Sequence, residues 1–171
     1  AYALFSHRDP SLATRAIYAS LRGMSTARVR ELAEEYFDEV VRSRAIDAGR
    51  DLLRKARKDG YRPILLSDGF EEVVERMAKL FGIEDYHGNR LEFVDGECTG
   101  RLTEPLFGGH QASHWLRGFA ESRGIDLKSS TAYASRHSEM LLLSTVGKPC
   151  AVNPDRRMRA AARDCQWPIV E

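Results

Sequence analysis

Four polar residues, Ser135-Arg136-His137-Ser138, with Glu139 behind them, interrupt an otherwise apolar stretch of the chain. Ahead of them the short run Ala132-Tyr133-Ala134 reads as a strand, and behind them Glu139 to Val146 reads as a helix, with Gly147 at the C-cap position. Lys148 to Val152 then reads as a second buried strand, closed by Asn153-Pro154. A strand, loop, helix and strand in this order is the repeat of a parallel α/β sheet. Such sheets place their sites at the carboxyl ends of the strands, so the chemistry is expected in the loop at 135–138. An arginine beside a helix N-terminus suits phosphate or carboxylate, which makes Arg136 a candidate anion ligand. The alternative is that Arg136 and Glu139 pair on the surface, with His137 solvated. A second candidate, Ser67, ends the apolar run Pro63-Ile64-Leu65-Leu66 just before Asp68-Gly69, where a hydroxyl can also simply cap the next turn.

The elements that must position these residues follow from periodicity. Ala1 to Phe5 suits either a short strand or the end of a helix, and Pro10 breaks any helix before it. Helical spacing predicts helices from Ser11 to about Arg22, from Ser25 or Thr26 onward, and over Asp47 to Lys58. The second has an apolar stripe of Val29, Leu32, Ala33, Tyr36, Phe37, Val40 and Val41. The first 60 residues are thus expected to form a helical layer. From Tyr61 the pattern changes to the strand ending at Ser67, followed by a helix over Phe70 to Phe81 stopped by Gly82. Two alternating strands then flank Asp95-Gly96, a strong hairpin signal. A helix over Gln111 to Ser122 precedes the loop unit, and a helix over Arg156 to Asp164 leads to a last strand, Trp167 to Val170.

Composition narrows the class. The chain has 171 residues, the length of one domain or of one domain with a small insert, and 43% of them are hydrophobic, which is enough for a core. With 26 basic and 25 acidic residues the net charge is +1, which gives no argument for nucleic acid. No apolar run approaches the roughly 18 residues of a membrane span, and no secretory signal is present. Cys98, Cys150 and Cys165 fit neither a zinc pattern nor a disulfide framework, so a reducing, cytoplasmic setting is expected. The basic run Arg54-Lys55-Ala56-Arg57-Lys58 and the arginines 156, 157 and 159 read as solvated helix faces.

Three stretches together carry a resemblance. They are Ser67 with the helix Phe70–Gly82, the hairpin Leu91-Glu92-Phe93-Val94-Asp95-Gly96-Glu97-Cys98-Thr99-Gly100-Arg101-Leu102, and Val146-Gly147-Lys148-Pro149-Cys150-Ala151-Val152-Asn153-Pro154-Asp155 with the helix behind it. The chain resembles the haloacid dehalogenase (HAD) superfamily, in particular its phosphoserine-phosphatase-like subfamily IB. Arg8 through Met24 is similar to the helical cap of members fused to lipid-metabolising enzymes. The resemblance implies a three-layer, Rossmann-like α/β core with a mostly parallel sheet over residues 61–171, a helical cap over 1–60 and a β-hairpin insert.

It also implies a chemistry: hydrolysis of small phosphate esters through an aspartyl-phosphate, with Mg²⁺ present. An aspartate attacks phosphorus, and a second aspartate two residues on acts as acid and base. A hydroxyl holds the phosphate, a lysine neutralises charge, and carboxylates after the fourth strand hold the metal. Ser67 matches the hydroxyl. The Asp-x-Asp-Gly-Thr motif is absent. We expect its strand upstream of Ala1; the alternative is a degenerate motif at Ala3 to Pro10, with Ser6 and Arg8 in place of the aspartates. The lysine near Gln111–Ala112 is missing too, although His110 or His114 could supply partial charge there unless they are ordinary surface histidines. Ser135 stands at the main metal position and Glu139 at the second. Arg136 between them would repel Mg²⁺ and suits an anion instead. The expected function is therefore a degenerate, non-catalytic scaffold or a module binding a phosphorylated or anionic ligand, in a larger lipid-metabolism protein. The alternative is a Mg²⁺-dependent phosphomonoesterase whose first strand is missing. A sheet without that strand exposes two edges, so an upstream segment, fused domain or partner chain is expected to fill the gap.

Overall fold

A computed structural model of the chain describes residues 10–44 and 47–171. The readings of Ala1 to Phe5 as strand or helix, and of Ser6 and Arg8 as a degenerate motif, lie outside the described residues. The chain divides into two compact units, Ala1–Leu106 and Phe107–Glu171.

In the first unit, α1 (Pro10–Ser20) and α2 (Thr26–Tyr36) are joined by a turn in which Ser25 caps α2 by accepting from the Arg28 N–H. The chain continues through a wide π-type turn, Phe37–Val41, into Arg42–Arg44, and α3 covers Asp47–Lys58 as its periodicity predicts. Val29, Ala33 and Phe37 of the apolar stripe are buried, but Tyr36 is 53% exposed. It falls one position off the Val29–Ala33–Phe37 spacing, which is the face that packs.

β1 (Ile64–Phe70) lies parallel to β2 (Asp85–Asn89), with α4 (Glu71–Phe81) as the crossover and Gly82 ending α4 in the left-handed region. The apolar pattern does not predict β2, because its sequence, Asp-Tyr-His-Gly-Asn, consists mainly of strand-poor residues. β3 (Leu91–Val94) and β4 (Glu97–Leu102) form the expected hairpin, and Asp95 (φ 51°) and Gly96 (φ 82°) supply the two positive dihedrals that its tight turn requires. The hairpin is stitched to the α1–α2 connection. Cys98 exchanges backbone hydrogen bonds with Gly23 and Met24, and the Arg22 guanidinium donates to the Thr99 carbonyl. Tyr18, Val29, Leu91 and Cys98 form the buried core there, with Phe70 and Phe93 packed on it.

In the second unit, α5 (Gly109–Arg123) precedes a parallel sheet ordered β5 (Thr131–Ala134), β6 (Lys148–Val152), β7 (Ile169–Val170). Between β5 and β6 a 3₁₀ turn at His137–Glu139 runs into the single-turn helix α6 (Met140–Leu143), shorter than the predicted Glu139 to Val146. α7 (Arg156–Asp164) matches its prediction. Leu143, Ala151, Met158 and Ala162 make the core. Gly147 lies beyond α6 and is not its C-cap. It is required by a close approach: a Cβ there would sit 1.9 Å from the Lys128 carbonyl oxygen.

Candidate functional site

In the first unit the candidate centre is a bulge. Leu66 pairs with His87 and Phe70 with Asn89, so Ser67, Asp68 and Gly69 together oppose the single residue Gly88. Three hydrogen bonds fix the extra residues. The Gly69 N–H donates to Ser67 Oγ at 3.0 Å, Asn89 Nδ2 donates to the Asp68 carbonyl at 2.6 Å, and the Tyr18 hydroxyl reaches the same carbonyl at 3.4 Å. Gly88 permits the crowding, since a Cβ there would lie 3.0–3.1 Å from Val74, from the Glu71 backbone and from the Gly69 carbonyl. Ser67 thus does cap its own turn. Accepting a bond occupies a lone pair and leaves the hydroxyl proton as a donor, so capping and anion binding are compatible.

The sequence reading overlooked Tyr18, His87 and Asn89, which surround this bulge. Asn89 is 2% exposed and Tyr18 5%. Burial chiefly pushes the Tyr18 hydroxyl up to about 12, so it stays protonated as a donor. Burial also lowers His87 against the opposing pull of Glu104, whose carboxylate lies 3.9 Å from Nε2. At that distance the pair is weak, and burial favours the neutral imidazole of His87. Glu72, in the first turn of α4, has a carboxylate oxygen that is buried without a hydrogen-bond partner, and desolvation raises its pKa. Only the burial of a polar strand and of two helix residues, Tyr18 and Glu72, reveals these groups, and neither leaves a mark in the apolar pattern.

In the second unit the Ser135–Glu139 loop lies at the carboxyl end of β5, as expected of a parallel sheet. Its atoms are arranged around carboxylates. Glu139 Oε2 accepts from the backbone N–H of Ser135 (3.1 Å) and of Arg136 (2.8 Å), while Oε1 lies 3.5 Å from the Arg136 guanidinium. The next N–H, of His137, donates to Asp155 Oδ2 at 3.0 Å, and the Asp155 Oδ1 caps α7 through the Met158 N–H at 2.7 Å. These backbone bonds, that of Met158 foremost, hold the Asp155 carboxyl below the usual aspartate range. The start of α5 borders this loop: a Cβ at Gly109 would lie 3.7 Å from the Ser138 carbonyl. His110, next along α5, is exposed, as is His114 one turn on. The second unit therefore gathers Ser135, Arg136, Glu139 and the His110 turn, while Ser67 belongs to the bulge of the first.

The family profile described as haloacid dehalogenase-like hydrolase matches residues 1–138. The chain belongs to this HAD-like hydrolase family. Phosphoserine phosphatase SerB1 of Mycobacterium tuberculosis (strain ATCC 25618 / H37Rv) is 32% identical over 161 residues, covering 94% of this chain and 52% of that protein. The chain spans about half the length of the curated relatives it matches. Among solved structures, a protein of unknown function from Bordetella pertussis Tohama I superposes with a TM-score of 0.88 at 20% identity, covering 99% of this chain and 79% of that one. A probable phosphoserine phosphatase from Vibrio cholerae superposes at 0.70 with 15% identity, covering 98% and 49%. At these identities the structural likeness shows the fold, and it agrees with the parallel α/β elements described above.

HAD phosphatases generally use Mg²⁺, so the donor set of this loop bears directly on function. Among the described residues, no group of three or more His, Cys, Asp or Glu side chains is placed to hold a metal ion. Ser135 offers a neutral hydroxyl where a hard cation favours carboxylate. Glu139 is committed to two backbone N–H groups and an arginine. A dication beside a guanidinium is also repelled: a like-charged pair of unit charges about 4 Å apart costs about 4 kcal/mol near a protein surface. The residues present do not fit the metal.

Proposed function

We propose that this HAD-family chain recognises small phosphate monoesters or related anions as a binding module, and does not hydrolyse them with a metal bound at the loop after β5. The observation that carries this reading is the self-capped loop, in which Glu139 bonds the backbone and Arg136 supplies the local positive charge. Within the second unit, His110 lies beside the loop on the first turn of α5; in the first unit, taken by itself, the Ser67 bulge offers a hydroxyl donor. A strand from another segment or a partner chain is proposed to pair with the edge of β5 that, among the described residues, pairs with no strand.

Isothermal titration of the chain with inorganic phosphate and with phosphoserine, in EDTA, tests the reading. Binding without Mg²⁺ is expected. Arg136→Ala should weaken it at least about tenfold, the loss of one charge-assisted hydrogen bond. Absence of any metal-free binding would remove the proposal. The second reading is a Mg²⁺-dependent phosphomonoesterase, favoured by relatives that carry the name phosphoserine phosphatase. Release of inorganic phosphate that requires Mg²⁺ would establish it.

A further inference from the structure

We propose that Glu139 serves the Ser135–Glu139 loop as an internal counter-ion, which occupies the loop's backbone N–H groups and closes it to divalent metal. Three consecutive N–H groups, those of Ser135, Arg136 and His137, converge on carboxylates of the chain itself: the first two on Glu139, the third on Asp155. Successive N–H groups pointing one way form a concavity of positive potential, the opposite of what a cation requires. Arg136 adds a full positive charge to the same segment. For Glu139 to ligate a metal it would have to leave both N–H groups and expose them, and the incoming cation would meet the guanidinium. Placing a carboxylate at a family metal position therefore does not make it a ligand here, because the local backbone claims it first.

This inference rests on the geometry of the loop and stands whether or not phosphate binds, so its test uses metal alone. The amide resonances of the intact chain are followed while Mn²⁺, a paramagnetic substitute for Mg²⁺, is titrated in. The expected result is no selective broadening of the Ser135, Arg136, His137 or Glu139 amides at substoichiometric Mn²⁺, and no change in melting temperature with Mg²⁺. In metal-free buffer, Glu139→Gln should shift the Ser135 and Arg136 amides selectively, because their charged acceptor is lost. It should lower the melting temperature equally in Mg²⁺ and in EDTA. Selective broadening of those amides by Mn²⁺, or a Mg²⁺-induced rise in melting temperature that Glu139→Gln abolishes, would overturn the proposal. The wild-type titration needs no variant, so the proposal stays decidable should Glu139→Gln fail to fold. Failure of phosphate binding with a metal-silent loop would sink the proposed function and leave this inference intact.

Discussion

Three carboxylates show how the same group takes different roles according to what surrounds it. Glu139 and Asp155 accept backbone N–H bonds, whereas Glu72 has a buried oxygen with no partner. Asp155 is both the N-cap of α7 and the tie to His137, so Asp155→Ala should cost about 1–2 kcal/mol in chemical denaturation, with Asp155→Asn losing less. Because its folded pKa is depressed, the stability Asp155 contributes is present above the ordinary aspartate range. It is lost as pH falls through the folded value. Glu72 runs the other way. Its folded pKa is raised, so the ionised group weakens the fold at neutral pH, and that penalty is relieved as pH falls through the folded value toward the ordinary glutamate range. Glu72→Gln should therefore be more stable than wild type at pH 7, and the difference should vanish in acid. A pH series of urea midpoints reads both effects. If Glu72→Gln were less stable than wild type at pH 7, the carboxylate would be making a favourable contact.

At the scale of elements, what was legible followed from the physics of each segment. The Asp95-Gly96 hairpin was readable because Asp-Gly readily takes the two positive φ angles of a tight hairpin turn. α3 and α7 were readable because, Gly49 apart, their residues favour helix. β2 was not: Asp85, His87, Gly88 and Asn89 all disfavour a strand, and the segment is held by pairing with β1 and by the Asn89–Asp68 bond. Gly147 was read as a helix cap, but its neighbour is Lys128, 19 positions earlier in sequence, and no local pattern reports such an approach. Gly147→Ala should accordingly behave as overpacking against backbone that cannot yield, with a loss of about 3 kcal/mol or more. Gly118→Ala, where a Cβ meets nothing within 4 Å, serves as the control and should stabilise α5 slightly. Equal effects at the two positions would contradict the close-approach account.

At the scale of the whole chain, the family and the parallel α/β class were legible because the hairpin and the β5–β6 unit are long, ordered patterns. The working state of the site was not, because it depends on which acceptor captures which N–H, and spacing alone does not decide between the Arg136–Glu139 pairing and the metal reading. One further consequence follows from the sheet of the second unit. Parallel strands are normally flanked on both edges, yet among the described residues β5 pairs with β6 alone, and Tyr133 on it is 45% exposed. A strand edge that none of the described residues pairs with is a template for pairing with another strand. The isolated chain should therefore self-associate as its concentration rises, with a weight-average mass in sedimentation equilibrium that climbs above 19.3 kDa. Tyr133→Lys places a charge on that strand and should hold the mass at the monomer value. A wild-type chain that stays monomeric at every concentration would mean that the β5 edge is already covered. Association unchanged in Tyr133→Lys would place the contact on another surface.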